Sequence, residues 1–409
     1  MPPSRRPALS ALALVAALVV GCGSPAPSGP AASGTGAPGT PGDPATSPSP
    51  LASGAPSPVM SPPEPATPTP QPTPTPAPTP TMAIAPLTGR LVREANALRH
   101  PIAVMIDDLW AARPQSGLSE ASVVWQAPAE AGIPRYMAIF AEGNPKAVGP
   151  VRSARYYFIG WAAEWRAVYA HAGGSPQALA ALRSKGSGQL VYNADQFRWG
   201  RYFWRIKQRY APHNLYTDGK HLRSLAKALK ATDPPAKAIW RFAPDAPLEA
   251  RPVGGRIDVT YPHNAVRYRY DRKTNTYRRF VSGGKKDIDA AHKVQIAPKN
   301  VIVMVMRFGP LTGAGSGHGR LEARLIGSGK AWISTNGRTI KGTWKKSSMT
   351  GPTRFYNANG KQVTLTIGQT YVQVIQSGTP VRFVAGKPAA SPSPAPTGAS
   401  PGPSASPGS

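Results

Sequence analysis

Proline-rich segments near both ends of this 409-residue chain confine any packed core to its middle. From residue 23 to 88, 21 of the 66 residues are proline, and most of the others are alanine, serine, threonine and glycine. Proline lacks the backbone donor of a regular helix or sheet, and so polar a segment cannot bury a core. We therefore expect a disordered tether over 22–87 and a disordered tail over 387–409. The residues between them, about 300, are enough for two ordinary domains.

The first 22 residues have the layout of an export signal that ends in the chain's only cysteine. Arg5 and Arg6 precede an apolar run over residues 8–20, which is too short to cross a bilayer as a permanent helix. The run leads into Val-Val-Gly-Cys, which resembles the lipobox of bacterial lipoproteins. We expect a signal peptide over 1–21, palmitate-type acyl chains on Cys22, and a position on the extracytoplasmic face of the cell membrane. With that cysteine acylated, disulfides and cysteine-ligated metals are excluded.

The middle of the chain is strongly basic. The segments outside residues 89–386 hold three basic and two acidic residues, so 28 of the 29 net positive charges fall inside that range. A field of this sign predicts polyanionic partners, namely lipid headgroups, anionic envelope polymers or nucleic acid. A solvated basic surface without a specific partner is the alternative.

The first half of the middle region alternates strand-like and helix-like patterns. Apolar and β-branched runs predict strands at 102–106, 122–126, 136–140 and 168–171. Ser153 is the predicted N-cap of a helix with an aromatic stripe that is typical of core packing. Ser175, followed by proline, is the predicted cap of a second helix, and Thr217 is that of a third.

After residue 236 the pattern becomes mostly β. Tyrosine and valine alternate with arginine over 266–270, an apolar run covers 301–306, and Asn-Gly pairs at 336–337 and 359–360 are typical of turns. We predict an α+β protein, with a layered α/β sandwich domain over 88–236 and a smaller mostly-β domain over 237–386.

Three motifs, in their order and spacing, resemble a known family. They are Gly149-Pro-Val-Arg-Ser-Ala-Arg155, His171-Ala-Gly-Gly-Ser-Pro-Gln-Ala178 and Pro212-His-Asn-Leu-Tyr-Thr217. In these motifs the chain resembles the YerB-like lipoprotein family, and the resemblance extends over almost all of 95–378. It implies a layered α/β N-terminal domain and a smaller C-terminal domain, and it brings no established activity or catalytic residue. The sequence departs from the family at Asp287, where members typically have a histidine before an aspartate.

Basic and polar residues cluster where helices are predicted to begin, and the free backbone N–H groups of a helix start favour anions. If these turns meet at one end of a sheet, we expect a pocket for phosphate or carboxylate in which arginine supplies bidentate geometry. The candidate ligand-binding residues are Arg113, Arg152, Ser153, Arg155, His171, Gly173, Gly174, Ser175, His213 and Asn214. The structural alternative is that the arginines pair with Asp107, Glu130 or Glu164 and hold the domain together.

The sequence favours a non-catalytic envelope module that binds an anionic ligand or a partner protein. One alternative is an envelope hydrolase in which Asp107 or Glu130 acts as base and His171 assists, although an aspartate at a strand end is usually a turn residue. Another is a surface nucleic-acid binder, to which strands such as Tyr268-Arg269-Tyr270 would contribute if their aromatic rings were exposed. Inward aromatics and outward arginines explain the same alternation. No histidine spacing or glycine-rich loop fits a metal or nucleotide site, so we expect no metal and no cofactor.

Overall fold

The computed structural model describes residues 80–389, except 234, 314–316 and 318. The predicted signal peptide over 1–21, Cys22, and most of the predicted tether and tail lie outside the described residues. The end of the predicted tether belongs to the fold, because Met82–Ile84 pairs with Leu91–Arg93 and Leu87 is buried. Met82, Ile84 and Leu87 follow directly on the proline-rich run, and so short an apolar pattern was too weak a signal to predict this.

Twenty-five strands lie within the described residues. The first ten are β1 (Met82–Ile84), β2 (Leu91–Arg93), β3 (Ile102–Asp107), β4 (Val123–Pro128), β5 (Pro134–Phe140), β6 (Val168–His171), β7 (Tyr192–Asp195), β8 (Trp204–Arg205), β9 (Leu215–Tyr216) and β10 (Arg241–Ala243). The others are β11 (Arg256–Tyr261), β12 (Asn264–Asp271), β13 (Thr276–Val281), β14 (Lys285–Lys286), β15 (Ile288–Asp289), β16 (Val294–Gln295), β17 (Asn300–Val305), β18 (Phe308–Pro310), β19 (Leu321–Ala323), β20 (Gly327–Thr335), β21 (Arg338–Lys346), β22 (Arg354–Asn357), β23 (Thr364–Thr366), β24 (Thr370–Ile375) and β25 (Val381–Val384). The α-helices of the same region are α1 (Glu94–Ala97), α2 (Tyr156–Ala162), α3 (Pro176–Leu182) and α4 (Gly219–Ala228).

A ten-stranded mixed sheet runs through both halves of the chain in the order β22-β21-β20-β17-β24-β4-β5-β3-β6-β7. The halves are joined by parallel pairing of β24 with β4, which places Thr370 opposite Val123. Strands β3, β4 and β24 are buried along their whole length. Burial on both faces is why these strands appear in the sequence as near-continuous apolar runs, and each strand predicted in the first half overlaps an observed one.

The ten-stranded sheet has a hydrophobic core on each face. On one face α2 and α3 pack against it, and the indole rings of Trp125 and Trp161 stack with centroids 4.6 Å apart. On the other face lie α4 and a five-stranded antiparallel sheet, in the order β14-β13-β12-β11-β25. In that smaller sheet Tyr268 and Tyr270 point inward and Arg269 is exposed, so the alternation predicted for this strand is confirmed. The molecule is therefore a layered α+β fold.

Two of the helix starts differ from the predicted ones. Helix α2 begins three residues after Ser153, because Ala154 is held in extended backbone by a β-bridge to Gly174. Asp218, and not Thr217, caps α4: the Asp218 carboxylate accepts a hydrogen bond from the backbone N–H of His221 at 2.7 Å. Ser175 is the N-cap residue of α3, as predicted, but its side chain makes no capping bond.

Candidate anion-binding site

The carboxyl ends of three parallel strands meet at one edge of the large sheet. Strand β3 pairs in parallel with β6, and β6 with β7, so Asp107, His171 and Asp195 are the last residues of three neighbouring strands. In open α/β sheets this edge is where ligands usually bind. The sequence motifs around Arg152 and Gly173 lie at the same edge, because the backbone N–H of Ala172 donates to the Arg152 carbonyl.

Asp107 is the centre of the polar contacts at this edge. Its carboxylate is 2 % exposed, and Oδ2 accepts a hydrogen bond from Nδ1 of His213 at 2.7 Å. The Arg152 Nε lies 3.0 Å from the same oxygen, an ion-pair distance without hydrogen-bond alignment. The His213 nitrogen that faces the carboxylate carries hydrogen, and Nε2 makes no hydrogen bond to any described residue. Arg152 and His213 are partly exposed, so Asp107 orients two groups that solvent can reach.

A second carboxylate, Glu130, holds two more arginines beside this group. Glu130 forms ion pairs with Arg155 and, at 3.4 Å, with Arg135. Burial alone would raise the pKa of Glu130, but the hydrogen bond from Arg155 and the charges of both arginines outweigh it and hold that pKa below its usual range. Arg135 also donates to the carbonyl of Ser153 at 3.1 Å, which connects the Glu130 pairs to the Arg152 segment.

The combined cluster has more positive than negative charge. Arg135, Arg152 and Arg155 face only two carboxylates, those of Asp107 and Glu130. Burial, followed by the positive charge of Arg155 and of Arg152, lowers the pKa of Arg135 to about 10. Burial is the largest cause of this fall, and the excess of arginines over carboxylates around Arg135 adds to it. An added anion would therefore be stabilised here. We call these five residues together with His213 the Asp107 cluster.

His171 is at the same edge but is enclosed. It is fully buried, its Nδ1 donates to the Gly173 carbonyl at 2.8 Å, and its Nε2 lies 2.8 Å from Oδ1 of Asn193. Both ring nitrogens are therefore engaged within the fold, and the ring holds the loop that leads to Ser175. Helices α2 and α3 have seven residues each, so their N-terminal dipoles add little to the site. The positive charge comes from the arginine side chains.

Arg113 lies apart from the Asp107 cluster, in a buried ion cluster between the two halves of the chain. It pairs with Asp108 and donates to Asp287 at 3.1 Å, while Arg279 pairs with Asp287 and donates to Gln126 at 2.8 Å. The four charged side chains are at most 8 % exposed. Burial raises the pKa of Asp108, and the charges of Arg113 and Arg279 oppose that rise. The structural alternative, ion pairing within the fold, therefore applies to Arg152 with Asp107 and to Arg155 with Glu130, as well as to Arg113 with Asp108 and Asp287.

Asn214 also faces away from the cluster. Its Oδ1 accepts from Arg205 at 2.7 Å and its Nδ2 donates to the carbonyl of Ile206, so it closes the β8–β9 hairpin. Sequence reasoning gave Arg135 no place among the candidate ligand-binding residues. No local signal marks this residue, because only the pairing register of β3 with β5 places Arg135 opposite Asp107.

Exposed aromatic side chains in the segment between β7 and β9 were also missed. Phe197, Trp204 and Tyr210 are 76 %, 37 % and 92 % exposed, and all belong to the segment between β7 and β9. Phe197 lies against Gly173, since a Cβ on that glycine would be 3.3 Å from its ring. Exposed rings beside a basic cluster are a common feature of ligand and partner surfaces.

Two domain models match the chain. They are described as the N-terminal and the C-terminal domain of a protein of unknown function, DUF3048, and they cover residues 87–232 and 257–372. This chain belongs to the DUF3048 family. The large sheet that crosses from β4 to β24 therefore combines strands of both DUF3048 domains.

A relative and a solved structure agree with this assignment. The chain is 30 % identical over 300 residues to the putative lipoprotein YerB of Bacillus subtilis (strain 168), over 71 % of this chain and 86 % of the relative. It also matches the crystal structure of the YerB protein from Bacillus subtilis with a TM-score of 0.65 and 27 % identity, over 74 % of this chain and 99 % of that chain. The resemblance to the YerB-like family is confirmed, and the family has no assigned activity.

Two other kinds of feature, a membrane-spanning helix and a group of metal ligands, are absent from the described residues. No helix among residues 80–389, with the gaps named above, is long and apolar enough to cross a membrane. In the same part of the chain no three side chains of histidine, cysteine, aspartate or glutamate are grouped as metal ligands would be.

Proposed function

We propose that this protein is a non-catalytic envelope module that binds an anionic envelope component at the Asp107 cluster. The observation that carries the proposal is the surplus of guanidinium groups there, three arginines against two carboxylates. Arg152 and His213 are oriented by a buried carboxylate and remain open to solvent on their other side. An arginine held in this way presents its N–H groups to phosphate or carboxylate at little cost in side-chain entropy.

The membrane anchor is part of the same proposal. The relative YerB is named a putative lipoprotein, and in this chain the export signal and Cys22 give the corresponding attachment point. Acylation of Cys22 would place the folded body on the extracytoplasmic face, at the end of a proline-rich tether. Phosphate- and carboxylate-bearing polymers of the envelope would then be the partners within reach.

The test uses residues 23–409, which contain every described residue, and measures affinity for poly(glycerol phosphate) and polygalacturonate by calorimetry. Arg152→Gln should weaken binding about tenfold or more, because a charge-assisted hydrogen bond contributes roughly 1.5–3 kcal/mol. Arg93→Gln removes an equal charge from an exposed position on β2 and is the matched control. Comparison of the two polymers separates a phosphate site from a carboxylate site.

Equal affinities of the Arg152→Gln and Arg93→Gln variants would refute the proposal. A second control is oligo(dT) at low and physiological salt. Binding of all three polymers that disappears as salt rises, with no difference between the variants, would indicate a general basic surface and the nucleic-acid alternative.

A hydrolase is the second candidate, and the Asp107–His213 contact is the observation that favours it. A carboxylate that orients a histidine through Nδ1 leaves Nε2 free to accept a proton, as general-base catalysis requires. In this arrangement His213 would be the base and Asp107 would orient it, and His171, whose ring nitrogens are both engaged, would take no part. The candidate predicts release of small fragments from envelope polymers by wild-type protein and none by His213→Gln, whereas the binding module predicts no fragments from either.

A further inference from the structure

A cavity of about 610 Å³ opens between the five-stranded sheet and the outer strands of the ten-stranded sheet. Four aromatic side chains line it: Tyr270 and Tyr277 from the small sheet, Trp332 from β20 and Phe383 from β25. Cavities of this size and apolar character commonly enclose small molecules. No residue of the Asp107 cluster lines it, so it is a separate site.

The aromatic side chains form two pairs. The rings of Trp332 and Phe383 have centroids 5.3 Å apart and are inclined at 31°. The rings of Tyr270 and Tyr277 have centroids 5.2 Å apart and are inclined at 48°. Aromatic rings attract a further planar ring in offset-stacked or edge-to-face contact. The lining therefore favours a flat apolar group over a flexible chain.

Positive charge without a carboxylate partner lies on the β21 side of the cavity. Lys341 and Arg338 line it and are exposed, and neither forms an ion pair with a described carboxylate. Arg338 donates to the backbone carbonyl of Ala250 at 3.1 Å. Arg256, the third basic residue of the lining, differs because it pairs with Asp258 at 2.8 Å. Two uncompensated cations beside an aromatic cavity are complementary to an anion that carries a ring.

We propose that this cavity binds a small molecule that combines a planar apolar ring system with an anionic head group. The ring would pack between the two aromatic pairs, and the anion would contact Lys341 and Arg338. An extended peptide is the competing occupant, because β25 is an edge strand of the small sheet. The two aromatic pairs and the two exposed cations beside them favour the ring compound.

The experiment titrates residues 23–409 with 2-naphthoate, 2-naphthyl phosphate and neutral 2-naphthol by calorimetry. Both anions should bind more tightly than the alcohol, and the tighter of the two identifies the head group as carboxylate or phosphate. Lys341→Glu should weaken anion binding about tenfold, since it replaces an attraction with a repulsion. It should leave 2-naphthol unaffected. Lys330→Glu makes the same charge change at an exposed position of β20 outside the cavity and should have no effect.

Trp332→Leu separates the contribution of the ring contacts from that of charge. It should weaken all three naphthyl compounds by a similar factor, because it removes one aromatic wall and no charge. Equal naphthoate affinities for Lys341→Glu and Lys330→Glu, or no binding of either anion at millimolar concentration, would overturn the proposal. Arg152→Gln should leave naphthoate binding unchanged, so failure of this inference is distinguishable from failure of the Asp107 site.

Discussion

Replacing Arg113 with methionine should destabilise the fold and leave anion binding intact. The Arg113 side chain is 8 % exposed, and its partners Asp108 and Asp287 are 0 % and 2 % exposed. Without the guanidinium, two buried carboxylates share one remaining cation, Arg279. Removing one partner of a buried ion pair costs about 3–5 kcal/mol, and methionine keeps most of the apolar stem. We expect the free energy of unfolding to fall by that amount.

Equilibrium urea unfolding, followed by tryptophan fluorescence, measures the loss. The control is Arg278→Met, which breaks an ion pair with Asp271 in which the arginine is 51 % exposed, and should cost under about 1 kcal/mol. Adding Asp287→Asn to Arg113→Met should recover part of the loss, because it removes one of the unbalanced charges. If Arg113→Met cost no more than Arg278→Met, or weakened polymer binding, the structural role assigned to Arg113 would be wrong.

The loss of unfolding free energy caused by Arg113→Met should also depend on pH. Burial raises the pKa of Asp108, and loss of Arg113 removes a charge that opposes the rise. The folded Arg113→Met variant therefore binds the proton of the Asp108 carboxyl group more tightly than the unfolded chain does. Its free energy of unfolding falls as the pH rises through the raised pKa of Asp108. The stability gap to wild type should be largest at neutral pH and should narrow as the pH falls toward 3.8, the ordinary value for aspartate.

Two further substitutions test how β21 is held. Glu164→Gln leaves the buried Lys346 ammonium without the carboxylate that lies 2.9 Å from it, and should lower the free energy of unfolding, measured by thermal unfolding, by about 3–5 kcal/mol. The double variant Glu164→Gln with Lys346→Met should lose less stability than the sum of the losses of the two single variants. Gly342→Ala would place a Cβ 1.9 Å from the backbone oxygen of Tyr356, so it should lower the free energy of unfolding by about 1–3 kcal/mol or prevent β22 from pairing. The control is Gly309→Ala, where a Cβ meets nothing within 4 Å and the free energy of unfolding should hardly change.

The strands could be predicted from the sequence, but the way the two halves join could not. Strands β4 and β24 are mostly apolar and each contains one glutamine, Gln126 and Gln373, and each pattern indicates burial on both faces. Neither pattern indicates which strand it pairs with. Their pairing is fixed by contacts such as the hydrogen bond from Gln369 to the carbonyl of Leu118, 251 positions away in the chain. Parallel pairing between strands so far apart in the chain has no turn motif in the sequence from which it could be predicted. The hairpin at Asn336-Gly337 has such a motif and was predicted correctly.

The lack of a local signal for long-range contacts also explains which candidate site residues could be found from the sequence and which could not. The motifs singled out Arg152 and His213, which both contact Asp107, because each lies beside a local turn whose residues are visible in the sequence. Arg113 and Arg279 look like surface arginines, and Arg279 even occupies an inward position of β13, which the period-two pattern would assign to an apolar residue. Its burial requires Asp287 and Gln126 as partners from two other parts of the chain. A buried arginine can therefore be predicted only together with its partners, which for Arg279 are Asp287 and Gln126.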